Sequence, residues 1–135
     1  MKFIIDSNRV IAALLKDSTT REILYNRCFE FIAPEFVKEE ISKYRTELIK
    51  KAKIKSEEFD ILLSLFFERI TLIPKKEYEA FLKKLKSKIS DSKDIPYLAC
   101  CMAIKALGIW SHDPHLKDQD RVKVFTNIDM LRLTH

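Results

Sequence analysis

Four acidic residues far apart in the chain, Asp6, Glu40, Asp94 and Asp113, are the side chains best placed to do chemistry together. Asp6 closes the run Phe3-Ile4-Ile5, a short apolar stretch that reads as a strand buried on both faces. Asp113 follows a second such stretch, Ile109-Trp110, after Ser111-His112. In open parallel sheets ligands bind beyond the carboxyl ends of the strands, so both acids are expected at that edge. Asp94 begins the apolar helix that leads into the Trp110 strand, and a helix antiparallel to its strand returns its N-terminus to the same edge. Glu40 lies about two turns into the helix after the second strand, inside the same rim. Carboxylates about 4 Å apart repel by ~4 kcal/mol at an effective dielectric of about 20. A hard divalent cation relieves that repulsion, and an all-oxygen donor set selects Mg²⁺ or Mn²⁺. An ion held this way activates a water and clamps the non-bridging oxygens of a phosphodiester, with no covalent intermediate.

These acids need a scaffold that gathers them, and the pattern of apolar residues predicts one. Val10, Ile11, Ala13 and Leu14 follow Asp6 at helical spacing. Thr19 and Glu22 have the spacing of a capping box for a short second helix. Phe29 to Ala33 reads as a second strand, and Pro34 as the opening of a helix carrying Phe36, Val37, Ile41, Tyr44 and Leu48 inward. Lys50 to Lys55 reads as a basic connector, and Ser56 as the cap of a helix bearing Phe59, Leu62, Leu63, Phe66 and Phe67. Ile70 to Ile73 is a third strand, and a lysine-rich helix bears Tyr78, Phe81, Leu82 and Leu85. Asp91 to Asp94 is a polar turn before the apolar helix, with Gly108 as that helix's C-cap. Val122 to Phe125 is a fifth strand, and Thr126 starts a terminal helix. Strands alternating with helices, with no hairpin turn between them, argue a parallel α/β sheet.

Composition removes several classes of function. The chain has 135 residues, enough for one domain over residues 1–135 with a real core. A phosphate-cradling loop or dinucleotide fingerprint needs several glycines in a few residues, and Gly108 is the only one present. No apolar run approaches the ~18 residues that span a bilayer. The apolar run before Asp6 is too short for a secretory signal, so no membrane association and a cytoplasmic location are expected. Three cysteines, Cys28, Cys100 and Cys101, cannot form an even disulfide framework and read as reduced, buried thiols. A net charge of +5 suits a polyanionic partner such as nucleic acid.

Four motifs in this order resemble those of the PIN-domain family of metal-dependent nucleases, which includes VapC-type toxins. They are Ile5-Asp6-Ser7-Asn8, Glu39-Glu40-Ile41, Asp91-Ser92-Lys93-Asp94 with Leu98-Ala99, and Trp110-Ser111-His112-Asp113. The likeness extends through Val122–Phe125 to Thr126, nearly the whole chain. It implies a three-layer α/β/α fold with a five-stranded parallel sheet of order 3-2-1-4-5. It also implies Mg²⁺- or Mn²⁺-dependent endonucleolytic cleavage of RNA, an antitoxin partner and a homodimer. Carried over position by position, Asp6, Glu40, Asp94 and Asp113 match the acidic quartet that ligates metal. Asn8 and Ser111 match supporting polar positions. Two departures are Ser7, where threonine is more usual, and Arg9, where an apolar residue is common.

Plainer roles compete at several of these positions. Asp94, two residues before Pro96, also suits an N-cap, and Asp91 competes with it for the site. Glu39 and Glu40 both suit the start of a helix, but Glu40 lies nearer the face that carries Ile41 and Tyr44. His112, His115, Cys100 and Cys101 offer a weak zinc pattern. Arg9, Arg45, Lys50, Lys51 and Lys53 are candidates for contacts to an RNA backbone. Two other functions remain open: a catalytically silent PIN-like domain that binds RNA or protein, and a phosphatase- or receiver-like domain using Asp6 as nucleophile.

Overall fold

The computed structural model describes residues 1–86 and 93–134. Five strands form one sheet: β1 (Lys2–Ile5), β2 (Glu30–Pro34), β3 (Ile70–Ile73), β4 (Gly108–Trp110) and β5 (Val124–Phe125). Their order is β3-β2-β1-β4-β5, and every neighbouring pair is parallel. The helices between them are α1 (Ser7–Leu14), α2 (Ser18–Leu24), α3 (Phe36–Lys43), α4 (Arg45–Ala52), α5 (Ser56–Phe67), α6 (Glu79–Lys86), α7 (Ile95–Ile104), α8 (Pro114–Lys117) and α9 (Asn127–Arg132).

Strand β1 occupies the centre because both its faces are apolar. Consecutive residues of a strand point to opposite sides of the sheet. Phe3, Ile4 and Ile5 are nevertheless all fully buried, so helices cover both faces, as in a three-layer α/β/α fold. Helix α7 packs on β1, β2 and β4 and carries α6 on its side, while α1 gathers α2 to α5 around it. With β1 paired to β2 on one side and to β4 on the other, the residues that follow β1 and β4 emerge side by side.

Several local features differ from the sequence expectation. Pro34 ends β2 rather than opening a helix, and the long helix anticipated after it breaks at Tyr44 into α3 and α4. The break turns Arg45 toward α5, where its guanidinium lies 4.9 Å from the Phe59 ring centre and donates to Ser56 Oγ at 2.7 Å. Asp17, not Thr19, caps α2, accepting a hydrogen bond from the Thr20 amide at 2.9 Å. Lys55 holds the N-cap position of α5, and Ser56 is already the first helical residue. Strand β5 begins at Val124 instead of Val122, because the Gln119 side chain ties up the Val122 backbone in the preceding loop. Cys28 is exposed, whereas Cys100 and Cys101 are buried.

Gly108 does not cap α7; Lys105 does, in the left-handed conformation with φ 58°. The glycine instead opens β4, where it makes room for the Phe125 ring, which meets Phe3 edge-on at 5.0 Å. A Cβ at position 108 would lie 2.5 Å from both the Lys123 carbonyl oxygen and a Phe125 ring carbon. Gly108→Ala is therefore expected to lower unfolding stability by about 1–3 kcal/mol through overpacking between β4 and β5. Urea denaturation checks this, and a variant as stable as the parent would show that β5 shifts freely.

Candidate active site

The site begins where β1 ends. Asp6 is the N-cap residue of α1, yet its side chain does not cap the helix, and the residue is only 6% exposed. Its Oδ2 accepts hydrogen bonds from Ser111 Oγ at 2.6 Å and from Asn8 Nδ2 at 3.0 Å. Its Oδ1 has one long contact, from Ser7 Oγ at 3.4 Å. One oxygen is thus held firmly by two donors while the other is held weakly.

Ser111 joins the ends of two strands. Besides donating to Asp6, its Oγ accepts from Asn8 Nδ2 at 3.1 Å and from the Asp113 backbone N–H at 3.0 Å. Asp113 is half-buried, and its own carboxylate caps α8 by accepting from the His115 N–H at 2.9 Å. Glu40, half-buried on α3, accepts a short hydrogen bond from the Tyr97 hydroxyl of α7. Glu39 is exposed, and its charge acts on Tyr78 instead. Asp94 is buried at the head of α7 without capping the helix through its side chain. Asp91 lies outside the described residues.

The electrostatics record the crowding of negative charge. Burial, the Glu40 and Asp113 charges and the hydrogen bond from Ser111 combine to leave the Asp6 pKa at about 6, burial raising it most and the bond from Ser111 lowering it. Burial also raises Glu40, against lowering by the bonds from Tyr97 and Ser7 and by the charges of Lys93 and Lys43. Tyr97 is held well above its usual range by burial and by the charges of Asp6 and Glu40, so it stays a donor.

Among the described residues, no three Asp, Glu, His or Cys side chains already form a cage that could hold a metal ion. The reason is visible in the bonds: Asp113 is turned to His115, and Glu40 to Tyr97. The donors still suit a hard cation. They are carboxylate oxygens, and a cation would offset both the burial and the neighbouring Glu40 and Asp113 charges that raise the Asp6 pKa. Rotation of Asp113 away from the α8 cap would free its oxygens for such an ion.

The expected RNA contacts fall in different settings. Arg9 is only 8% exposed and points inward, to Asn8, Thr20 and Asn127, rather than to solvent. Arg45 is engaged with Asp60 and Ser56, and Lys51 pairs with Glu47 at 3.3 Å. Lys50 and Lys53 are exposed on and just after α4. Burial pushes the thiols of Cys100 and Cys101 up to about 12, away from the thiolate form that binds metal. Tyr97 and Asn127 were not singled out from sequence. A lone phenol three residues after Asp94, the one aromatic side chain in an apolar helix, was the available signal for the first.

A family model described as "PIN domain" matches residues 4–121. The chain belongs to the PIN-domain family. Among solved structures, this PIN domain is similar to a chain in the crystal structure of VapBC2 from Rickettsia felis bound to a DNA fragment from their promoter. The two superpose with a TM-score of 0.67 over 93% of this chain and 98% of that one, at 16% sequence identity, which is a likeness of fold. No curated protein sequence matches the chain. PIN domains are generally nucleases, and among the described residues no helix of this one is long and apolar enough to cross a membrane.

The Asp6 shift has a consequence for stability in the metal-free protein. A carboxyl whose pKa rises from 3.8 to about 6 on folding contributes stability that is fully present below pH 3.8 and lost as pH rises through about 6. Asp6→Asn removes that loss. The variant is expected to gain on the parent by up to roughly 3 kcal/mol between about pH 4 and pH 7 in urea unfolding with chelator present. Stability curves that stay parallel across this window would show that Asp6 ionises as easily folded as unfolded.

Proposed function

We propose that this PIN domain is an endoribonuclease dependent on Mg²⁺ or Mn²⁺. The observation that carries the reading is the Asp6 carboxylate at the carboxyl edge of the central strand, its pKa raised by burial first and then by the charges of Glu40 and Asp113. Asp6, Asp94 and Asp113 would hold the ion, with Glu40 completing the shell. When bound, such an ion supplies Lewis-acid stabilisation of the phosphate and activation of a water.

The chain's own residues supply positioning. Ser111 and Asn8 hold Asp6 Oδ2, which leaves Oδ1 as the oxygen available to the ion. Tyr97 fixes Glu40 through a hydroxyl that remains protonated. Exposed Lys50 and Lys53 are candidates to track the substrate backbone, as is Lys51 after release from Glu47. Cleavage expels the ribose 3′-oxygen and leaves a 5′-phosphate. The similar fold in a VapBC2 assembly supports a toxin role with an antitoxin chain as partner, and the family resemblance adds a homodimer as the working form.

One observation favours a second reading, a binding domain without catalysis: the Asp113 carboxylate is already engaged in capping α8. A mixed RNA pool incubated with Mn²⁺ or with EDTA separates the two. The nuclease reading predicts cuts with 5′-phosphate ends in Mn²⁺ alone. It also predicts that Asp6→Asn and Asp113→Asn, each folded by circular dichroism, lower cleavage at least about 10²-fold. RNA retained intact in Mn²⁺ would favour the silent domain.

A further inference from the structure

Arg9 is the feature that the proposed chemistry leaves unused. It is a buried cation three residues beyond Asp6, and among the described residues its hydrogen bonds go to Asn8, Thr20 and Asn127 and to no carboxylate. Its Nε donates to Asn8 Oδ1 at 2.9 Å. One terminal nitrogen donates to Thr20 Oγ1 at 3.3 Å and to Asn127 Oδ1 at 3.4 Å. Asn127 is itself fixed, accepting from Trp110 Nε1 at 2.9 Å and donating to Thr20 Oγ1 at 3.1 Å. The guanidinium is therefore clamped by α2, by α9 and, through Asn127, by the last residue of β4.

The clamp decides which way the Asn8 amide faces. An amide has a donor end and an acceptor end of almost the same shape, and only its partners choose between them. Here Oδ1 meets Arg9 Nε and, at 3.4 Å, the His112 backbone N–H. Nδ2 consequently meets Asp6 Oδ2 and Ser111 Oγ, both of which can accept. A flipped amide would set its oxygen against the Asp6 carboxylate and its NH₂ against the guanidinium, losing both sets of bonds.

We propose that Arg9 is a positioning residue: by holding the Asn8 amide in one orientation, it aims Asp6 so that Oδ2 is sequestered and Oδ1 is presented to a divalent cation. The inference rests on the metal-dependent reading of the site. It assigns Arg9 a place behind the acidic cluster instead of on the RNA. Groups that orient a metal ligand from behind typically change metal affinity by about 10–100-fold when removed.

The test is Mn²⁺ binding by isothermal titration calorimetry on the full chain, with melting curves confirming that each variant is folded. Arg9→Lys keeps the charge and most of the stem but lacks the planar Nε–H, and is expected to bind Mn²⁺ about tenfold more weakly than the parent. In an Asn8→Ala background the same change is expected to cost nothing further, because the hydrogen-bonded route to Asp6 is gone and lysine keeps the charge that acts on Asp6 directly. Asn127→Ala, which removes one acceptor of the guanidinium while leaving the Arg9 and Asn8 side chains themselves unchanged, is expected to act in the same direction and to be silenced in the same background. It serves as the probe should Arg9→Lys fail to fold. Parent-like Mn²⁺ affinity in these variants, or losses that add in full to that of Asn8→Ala, would overturn the positioning role. A parent chain that binds no Mn²⁺ would instead overturn the metal-dependent reading on which the inference rests.

Discussion

A carboxylate taken out of water must be met by donors or it will take up a proton. Asp6 is in that position at the end of the central strand, and much of the surrounding architecture answers to it. Two donors converge on one of its oxygens, one local and one distant in the chain: Asn8 from the next turn and Ser111 from the end of the neighbouring strand. Hydrogen bonds to a charged group contribute about 1.5–3 kcal/mol each. They do not restore the carboxylate to its ordinary state, since its pKa remains at about 6. The residual cost is mainly that of burial, with the charges of Glu40 and Asp113 adding to it, and a cation would relieve both.

Topology explains why these partners meet. A parallel sheet with β1 between β2 and β4 places Asp6 and Ser111 at adjacent strand ends, and Asp6 N–H donates to the Trp110 carbonyl at 3.1 Å. One hydroxyl can then serve both strands, bonding the Asp6 carboxylate and the Asp113 amide. Helix α7, packed across β1, β2 and β4, brings Tyr97 to Glu40 from the other side of the sequence. The rim is therefore cross-linked by side chains rather than left to independent loops.

The strands and the first acid were legible because their signals are local. Phe3-Ile4-Ile5-Asp6 contains both the buried strand and the carboxylate at its end, and Ile70–Ile73 was bounded by Pro74. The choice of Glu40 over Glu39 followed from helical periodicity, and the structure sets Glu40 half-buried and Glu39 exposed. What remained hidden depends on partners distant in sequence. Nothing near Arg9 announces that Thr20 and Asn127 will receive its guanidinium, so a basic residue next to an acid reads as a surface contact. Gly108 looked like a helix terminator because its neighbours end a helix, whereas its role is set by the Phe125 ring across the sheet. The turn at Tyr44 likewise has no glycine or proline in the helix to announce it, and its consequence, Arg45 facing α5, depends on a partner eleven residues on.

In the proposed nuclease, Asp6 Oδ1 and the carboxylates of Asp94 and Asp113 share a divalent cation. The most direct measurement is an anomalous difference map from a crystal grown with Mn²⁺. A peak is expected within bonding distance of Asp6 Oδ1, with Asp113 swung off the α8 cap toward it. A map at saturating Mn²⁺ with no peak beside Asp6, or with the ion bound elsewhere on the chain, would contradict that shared site.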